Sequence, residues 1–283
     1  MLSFLLLLHY NYIMENEFKK RVREFIINEL GIKIKSLTFI ETGITNYNFF
    51  LNEKYIIKIK DDRLRLANDY NNEKQLALLL EKVNLTSKHA FYNDFIVVDY
   101  ITNTAFLTLD NYENYLEKLI EVIKKVHLLP PKGFTNFDPF KRLELYRQGL
   151  GSSFTLENEE KTINDAKYYY DKAKKCVCHN DLVNGNILVK KGQLYLIDFE
   201  YSGLNDPDFD VVSFLSENDF VTSVVEEEFL KLFYKDEIPF AKLLAYTKFL
   251  NLLWYYWGLF AYQQTKKAIF YDIALNKKQK YLN

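Results

Sequence analysis

Two cysteines, five prolines and nine glycines are few for 283 residues, and each shortage removes a class of architecture. Cys176 and Cys178 cannot build a disulfide framework at this length, and so small a number fits a reducing compartment. A metal reading of Cys176-Val177-Cys178-His179 lacks a second Cys/His cluster to complete a tetrahedral site. With proline and glycine sparse and no repeat or low-complexity tract, neither a linker nor a solenoid is expected. Excess charge is missing too: Lys+Arg 37 against Asp+Glu 38 gives a formal net charge of -1. No global field therefore draws the chain to nucleic acid or to an anionic membrane. The apolar run at residues 2–8 is too short to span a bilayer, follows no basic residue and precedes no small-residue cleavage site. Stable membrane insertion is not expected, and the location expected is cytoplasmic. Met14 opens a clear amphipathic helix, so residues 1–13 read as a dispensable extension.

What is present is an ordinary globular composition, 48% hydrophobic and 27% charged, with an aromatic share of 17% concentrated in Phe and Tyr. From Glu15 to Leu30 the apolar residues Phe18, Val22, Phe25, Ile26 and Leu30 recur at helical spacing, and Gly31 stops the helix. Strand-like runs follow at 32–41, 47–52 and 55–60, the last two forming a hairpin across a short polar turn. Residues 69–82 return to helix, and 95–101 form another strand. Beyond about Thr102 the pattern turns helical, at 111–128, at 157–175 and again toward the end, around a β-rich core at 176–198. His127, near the end of the 111–128 helix, reads as a packed or capping histidine rather than a ligand. The organisation is α+β: a sheet-based N-terminal lobe at 14–101, and a mainly helical C-terminal lobe at 102–283. A cleft between two such lobes is a usual place for a ligand.

The strongest chemical signal is His179-Asn180-Asp181-Leu182-Val183-Asn184-Gly185-Asn186, in which an aspartate is followed five residues later by an asparagine and then a strand. Kinase-like catalytic loops have this pattern. The spacing aims one carboxylate at an acceptor hydroxyl while turning an amide oxygen toward a metal on the phosphates. Leu194-Tyr195-Leu196-Ile197 then runs as an apolar strand into Asp198, a hard oxygen ligand suited to Mg²⁺. Asp181, Asn186 and Asp198 are the candidate catalytic set, with Asn186 and Asp198 as metal ligands. Lys58 alternates with apolar neighbours in Tyr55-Ile56-Ile57-Lys58-Ile59, so it can present a cation to a triphosphate, and Glu73 on the following helix could fix it. Gly43-Ile44-Thr45-Asn46 would be the turn over the phosphates, although one glycine stands where G-x-G-x-x-G has three. Backbone N–H groups with Thr45 and Asn46 would do the cradling.

The run Ile197-Asp198-Phe199-Glu200-Tyr201-Ser202-Gly203-Leu204-Asn205-Asp206-Pro207-Asp208-Phe209-Asp210, continuing to Glu217, resembles the signature of the choline/ethanolamine kinase family, and within it the bacterial Lic-type choline kinases. Gly43-Ile44-Thr45-Asn46, the catalytic loop and Trp257-Gly258-Leu259-Phe260 fit the same family, over nearly everything from Met14 onward. The resemblance implies a two-lobed, protein-kinase-like fold and an ATP- and Mg²⁺-dependent phosphotransferase. Asp181 would be the base or orienting carboxylate, Lys58 would hold the phosphates, and Asp99-Tyr100-Ile101 would be the hinge that meets the adenine. Glu200 stands where protein kinases have the glycine of Asp-Phe-Gly, and no Ala-Pro-Glu element follows, so an activation-loop switch is not expected.

For the acceptor, the resemblance implies a small amino alcohol, choline first. A quaternary ammonium offers no hydrogen-bond donor, so aromatic faces and nearby carboxylates must hold it. Trp257 and Phe260 stand at i and i+3 of one helix with Trp254 on the same stripe, although many relatives have tryptophan where Phe260 stands. The expected substrate site is therefore Asp181, Glu200, Tyr201, Glu217, Trp254, Trp257 and Phe260. Ethanolamine (with Glu200, Glu217 and Asp206 as acceptors), an aminoglycoside, or a non-catalytic binding role on the same fold are the alternatives.

Overall fold

The computed structural model describes residues 16–40, 45–60, 63–64, 69–235 and 237–283. Gly43 and the extension at 1–13 lie outside the described residues. The chain divides into two compact units, one of residues 1–65 and 87–102, the other of 66–86 and 103–283.

In the first unit, α1 (16–25) runs into a wider π-turn at Ile26–Leu30. Gly31, at φ 62, ends it by donating its N–H to the Ile26 carbonyl, a left-handed position that suits glycine. Val22, Phe25 and Ile26, the apolar stripe of this helix, are buried against a five-stranded antiparallel sheet. Its strands are β1 (Leu37–Ile40), β2 (Asn46–Leu51), β3 (Tyr55–Lys60), β4 (His89–Phe91) and β5 (Phe95–Asp99), in the order β1-β2-β3-β5-β4. The expected strand at 32–41 is shorter than its apolar pattern suggested, because Asn52 clamps the chain ahead of β1. Its side chain accepts from the N–H groups of Lys35 and Ser36 and donates to the Lys33 carbonyl. The β2–β3 hairpin turns through Asn52 and Glu53, both at positive φ. Lys58 pairs with Asn48 on one side and Ile96 on the other, between the buried Ile57 and Ile59. Alternation therefore puts its side chain on the face opposite the core.

In the second unit, Asp69 caps α2 (Tyr70–Lys82) by accepting from the Asn71 N–H. Asn72 of this helix hydrogen-bonds Thr135 and the Ser202 carbonyl. A three-stranded sheet combines β6 (Ala105–Phe106) with two later strands, at Ile187–Lys190 and Gln193–Leu196. There follow α3 (Leu116–His127), α4 (Pro139–Arg147) and α5 (Glu159–Tyr170). Then come β7 (Cys176–Cys178), β8 (Ile187–Lys190), β9 (Gln193–Leu196) and β10 (Gly203–Asn205), with β7 antiparallel to β10. The chain closes with α6 (Asp208–Glu217), α7 (Ser223–Tyr234), α8 (Phe240–Thr265) and α9 (Ala268–Leu282). α4 has little apolar periodicity to announce it, but Pro139 opens it and Asp138 caps it by accepting from the Lys141 N–H. α8 is buried on every side from Phe249 to Ala261, enclosed chiefly by α4, α5, α6 and α9. Gly258 permits the approach of α9: a Cβ there would stand 2.7 Å from the Phe270 carbonyl oxygen. Among the described residues no helix is long and apolar enough to cross a membrane.

Candidate active site

The loop after β7 is fixed from behind before it presents any chemistry. Asp210, on the first turns of α6 and almost fully buried, accepts the N–H of His179 at 3.1 Å and that of Asn180 at 2.6 Å. It also accepts Nε2–H of His127 at 2.9 Å. Asn180 takes a left-handed φ of 66, and its side chain is held by the Tyr201 carbonyl and by Asn205. On the far side of Asp181, the Leu182 N–H donates to Ser213 Oγ, and Asn218 donates to the Leu182 carbonyl. Asp181 thus projects from a loop whose backbone is bound on both flanks.

Asn186 reaches back to it across a single 3₁₀ turn. Its Nδ2 donates to the Asp181 carboxylate at 2.8 Å and to the Asp181 carbonyl at 3.0 Å. The Ile197 N–H donates to the Asn186 carbonyl at 3.1 Å, which ties the end of the β9 segment to the loop and delivers Asp198 next in sequence. Asp198 itself turns at φ 63.

Negative charge accumulates here. Burial pushes the Asp181 carboxyl up to about 7, and the neighbouring Asp198 and Glu217 charges push the same way against Asn186 and Lys277. Glu217 carries the ammonium of Lys277, which is buried on α9 and held below the usual lysine range mainly by that burial. Sequence reading missed Lys277, because one lysine in a basic run on the last helix carries no signal of burial. It also gave no role to Asp210 or to Arg142, whose guanidinium lies 4.3 Å from the Phe137 ring centroid and 5.7 Å from that of Tyr201.

The aromatic residues divide into two neighbourhoods. Tyr201 meets Trp254 edge-to-face at 5.3 Å, Trp254 meets Trp257 at 5.8 Å, and Trp257 meets Phe270 at 5.4 Å. Phe260 turns instead to Tyr146, at 5.6 Å. Glu200 is buried beside Tyr146 and Tyr201 and helps burial raise both phenols. Tyr201, Trp254 and Trp257 are therefore brought together. Asp206 is fully enclosed by Lys242 and Tyr246.

In the first unit, Thr45 Oγ1 accepts from the buried Asn46 side chain at 3.2 Å. The Tyr100 N–H is engaged by the Lys54 carbonyl at 2.8 Å and the Asp99 N–H by the Lys88 carbonyl at 2.9 Å, so in the segment Asp99-Tyr100-Ile101 these two backbone donors are already spent. Lys58 belongs to the first unit and Glu73, buried on α2, to the second.

The donor set at the loop fits a hard divalent cation. Asn186 spends its amide N–H₂ on Asp181 and keeps its oxygen, Asp198 adds a carboxylate at the strand end, and three carboxylates lie close with one buried ammonium among them. Oxygen ligands with excess negative charge are what Mg²⁺ selects.

Comparison with known proteins gives a family and a fold. The model of the family described as "Phosphotransferase enzyme family" matches residues 36–246. Protein LicA of Haemophilus influenzae is 26% identical over 243 residues, which is 76% of this chain and 70% of that one. The crystal structure of choline kinase LicA from Streptococcus pneumoniae superposes with a TM-score of 0.78 at 24% identity, covering 94% of this chain and 98% of the other. LicA in complex with AMP superposes with a TM-score of 0.75 at 23% identity, over 95% and 98% of the two chains. The fold is protein-kinase-like, with an antiparallel sheet in the first unit and mostly helix in the second.

Proposed function

The chain belongs to the phosphotransferase enzyme family, and from that premise we propose that it transfers the terminal phosphoryl group of ATP, with Mg²⁺, to the hydroxyl of choline. The observation that carries the reading is Asp181, a carboxyl raised to about 7 and gripped by Asn186 on a loop bound at both flanks. A base poised near neutrality suits proton removal from an alcohol.

In this reaction Asp181 receives the choline hydroxyl, lines its oxygen up with the terminal phosphorus and takes the proton late, as a loose transition state requires. The O–P bond to choline forms, the bond to the ADP oxygen breaks, and the proton rests on Asp181. Asn186 keeps the carboxylate aimed and, with Asp198, offers oxygens to the cation. A divalent ion held there would neutralise charge on the phosphates, the largest electrostatic contribution to such a transfer. Lys58 is assigned to the phosphates and Glu73 to fixing it, Thr45 and Asn46 to the covering turn, and the segment Asp99-Tyr100-Ile101 to the adenine edge. The AMP complex of LicA supports a nucleotide of this class.

For the trimethylammonium group the assignment is Tyr201, Trp254 and Trp257, with Glu200 and Glu217 nearby and Phe260 behind. Each cation–π contact is worth roughly 0.5–2 kcal/mol. Choline is favoured over ethanolamine because a primary ammonium needs uncommitted acceptors. Of the three acceptors expected for it, two are committed elsewhere: Glu217 carries Lys277, and Asp206 carries Lys242 and Tyr246. The relatives named as choline kinases support the same choice. A cytoplasmic setting, where ATP is at hand, belongs to the same proposal.

The test is coupled ADP release with ATP and Mg²⁺, run in parallel on choline, ethanolamine and kanamycin. Turnover highest with choline, and lost in Asp181→Asn while nucleotide affinity holds, is expected. Turnover confined to ethanolamine or kanamycin overturns the acceptor; no turnover with any of them overturns the enzyme reading.

A further inference from the structure

On β7, which leads into the loop, and on the end of α3, three other side chains converge. Cys176 and Cys178 stand two apart on β7 and so share one face of the strand. Both are free thiols, and their Sγ atoms are 3.7 Å apart. His127 comes in from the last turn of α3, and its ligating nitrogen and the two sulfurs all lie within 4.8 Å of one another. The adjacent His179, the partner that the sequence motif offered, is not in this group. It donates Nε2–H to the Ile197 carbonyl instead.

The spacing matches a known coordination edge. Two thiolates on a tetrahedral zinc ion, each at about 2.3 Å, are about 3.8 Å apart, close to the separation seen here. His127 Nε2 is bound to the Asp210 carboxylate at 2.9 Å; with Nδ1 on the metal, this would be the carboxylate–histidine pairing that ligating histidines show. Cys178 is buried and the His127 side chain only 11% exposed, so entry would be past Cys176, which is partly exposed.

We propose that Cys176, Cys178 and His127 form a binding site for a thiophilic divalent metal ion of the zinc class, with the fourth position taken by water. It is distinct from the oxygen site at Asn186 and Asp198, and it stands whichever acceptor the enzyme uses. On binding, each thiol releases its proton to solvent and its sulfur donates to the metal, with no redox change. Asp210 holds both His127 and the backbone of His179 and Asn180, so the metal would join α3 to β7 at the root of the loop that carries Asp181.

The experiment uses the full chain, stripped with chelator and titrated with Co²⁺ and then Zn²⁺. One Co²⁺ per chain with a thiolate-to-cobalt charge-transfer band, displaced by Zn²⁺, is expected. Asp198→Asn should leave that band unchanged, while Cys176→Ser should abolish it and weaken Zn²⁺ binding by at least ~10-fold. Should the serine variant fold poorly, alkylation of Cys176 in the unaltered chain serves, with Zn²⁺ expected to protect it. Absence of the charge-transfer band, equal Zn²⁺ affinity in Cys176→Ser, or alkylation indifferent to Zn²⁺ each overturns the site.

Discussion

Replacing Asp210 by asparagine should damage stability and turnover together, because one carboxylate serves two backbone N–H groups and one imidazole N–H. The amide can still accept at one oxygen, but its N–H₂ must then face a donor. At least one of those donors is left buried and unpaired, at about 1–3 kcal/mol, and the remaining bonds lose their charge assistance, each worth about 1.5–3 kcal/mol when present. A net loss of about 2–5 kcal/mol follows, a large share of the roughly 5–15 kcal/mol that holds a typical domain. Urea unfolding followed by tryptophan fluorescence is the assay. Both tryptophans of the chain, Trp254 and Trp257, lie in α8 of the same unit, so the signal reports the part that is perturbed. The slope should stay constant while the midpoint falls. In the fraction still folded, a loop displaced by about 1 Å should cost ~10²-fold in kcat. A variant that unfolds within about 0.5 kcal/mol of the parent, below the typical worth of one hydrogen bond, and keeps its kcat would refute the claim that Asp210 holds the loop.

Three other outcomes follow from the same contacts. Gly258→Ala should destabilise by about 1–3 kcal/mol through overpacking of α8 on α9, since the added carbon meets the Phe270 carbonyl and the Ala274 backbone; thermal melting reads this, and an unchanged Tm sinks it. Lys277→Met should lose about 3–5 kcal/mol by leaving Glu217 unpaired, and adding Glu217→Gln should recover most of that stability; a single variant as stable as the parent would show that the pair contributes nothing. Trp254→Leu should raise the KM for choline roughly 5- to 30-fold, the equivalent of one or two cation–π contacts, with kcat nearly kept and the KM for ethanolamine less affected; equal shifts for both substrates would remove Trp254 from the reading of the methyl groups.

Parts of this protein were legible in one dimension because they are built from neighbours in sequence. The β2–β3 hairpin needs only two alternating runs and a polar turn, and the Asp181–Asn186 loop needs only an aspartate, an asparagine five residues on and a strand to follow. The short β4 and β6 strands and α4 escaped because their apolar patterns are too short or too weak to read. β4 exists through pairing with the next strand, β5, whereas β6 joins β8 across about eighty residues of sequence. The aromatic stripe on α8 was visible, but its partners were not: Trp254 finds Tyr201, while Phe260 finds Tyr146.

The sequence by itself determined the reaction class, because phosphoryl transfer requires certain residue types at set spacings, and those spacings are short enough to read. Only the tertiary structure decided which charges are paired and which are pressed together. Asp210 gathers His127 from 83 residues upstream, Glu217 takes Lys277 from 60 residues downstream, and the same packing raises Asp181 to about 7. A buried charge must find whatever partner the packing brings within reach, and the distance along the chain has no bearing on that choice.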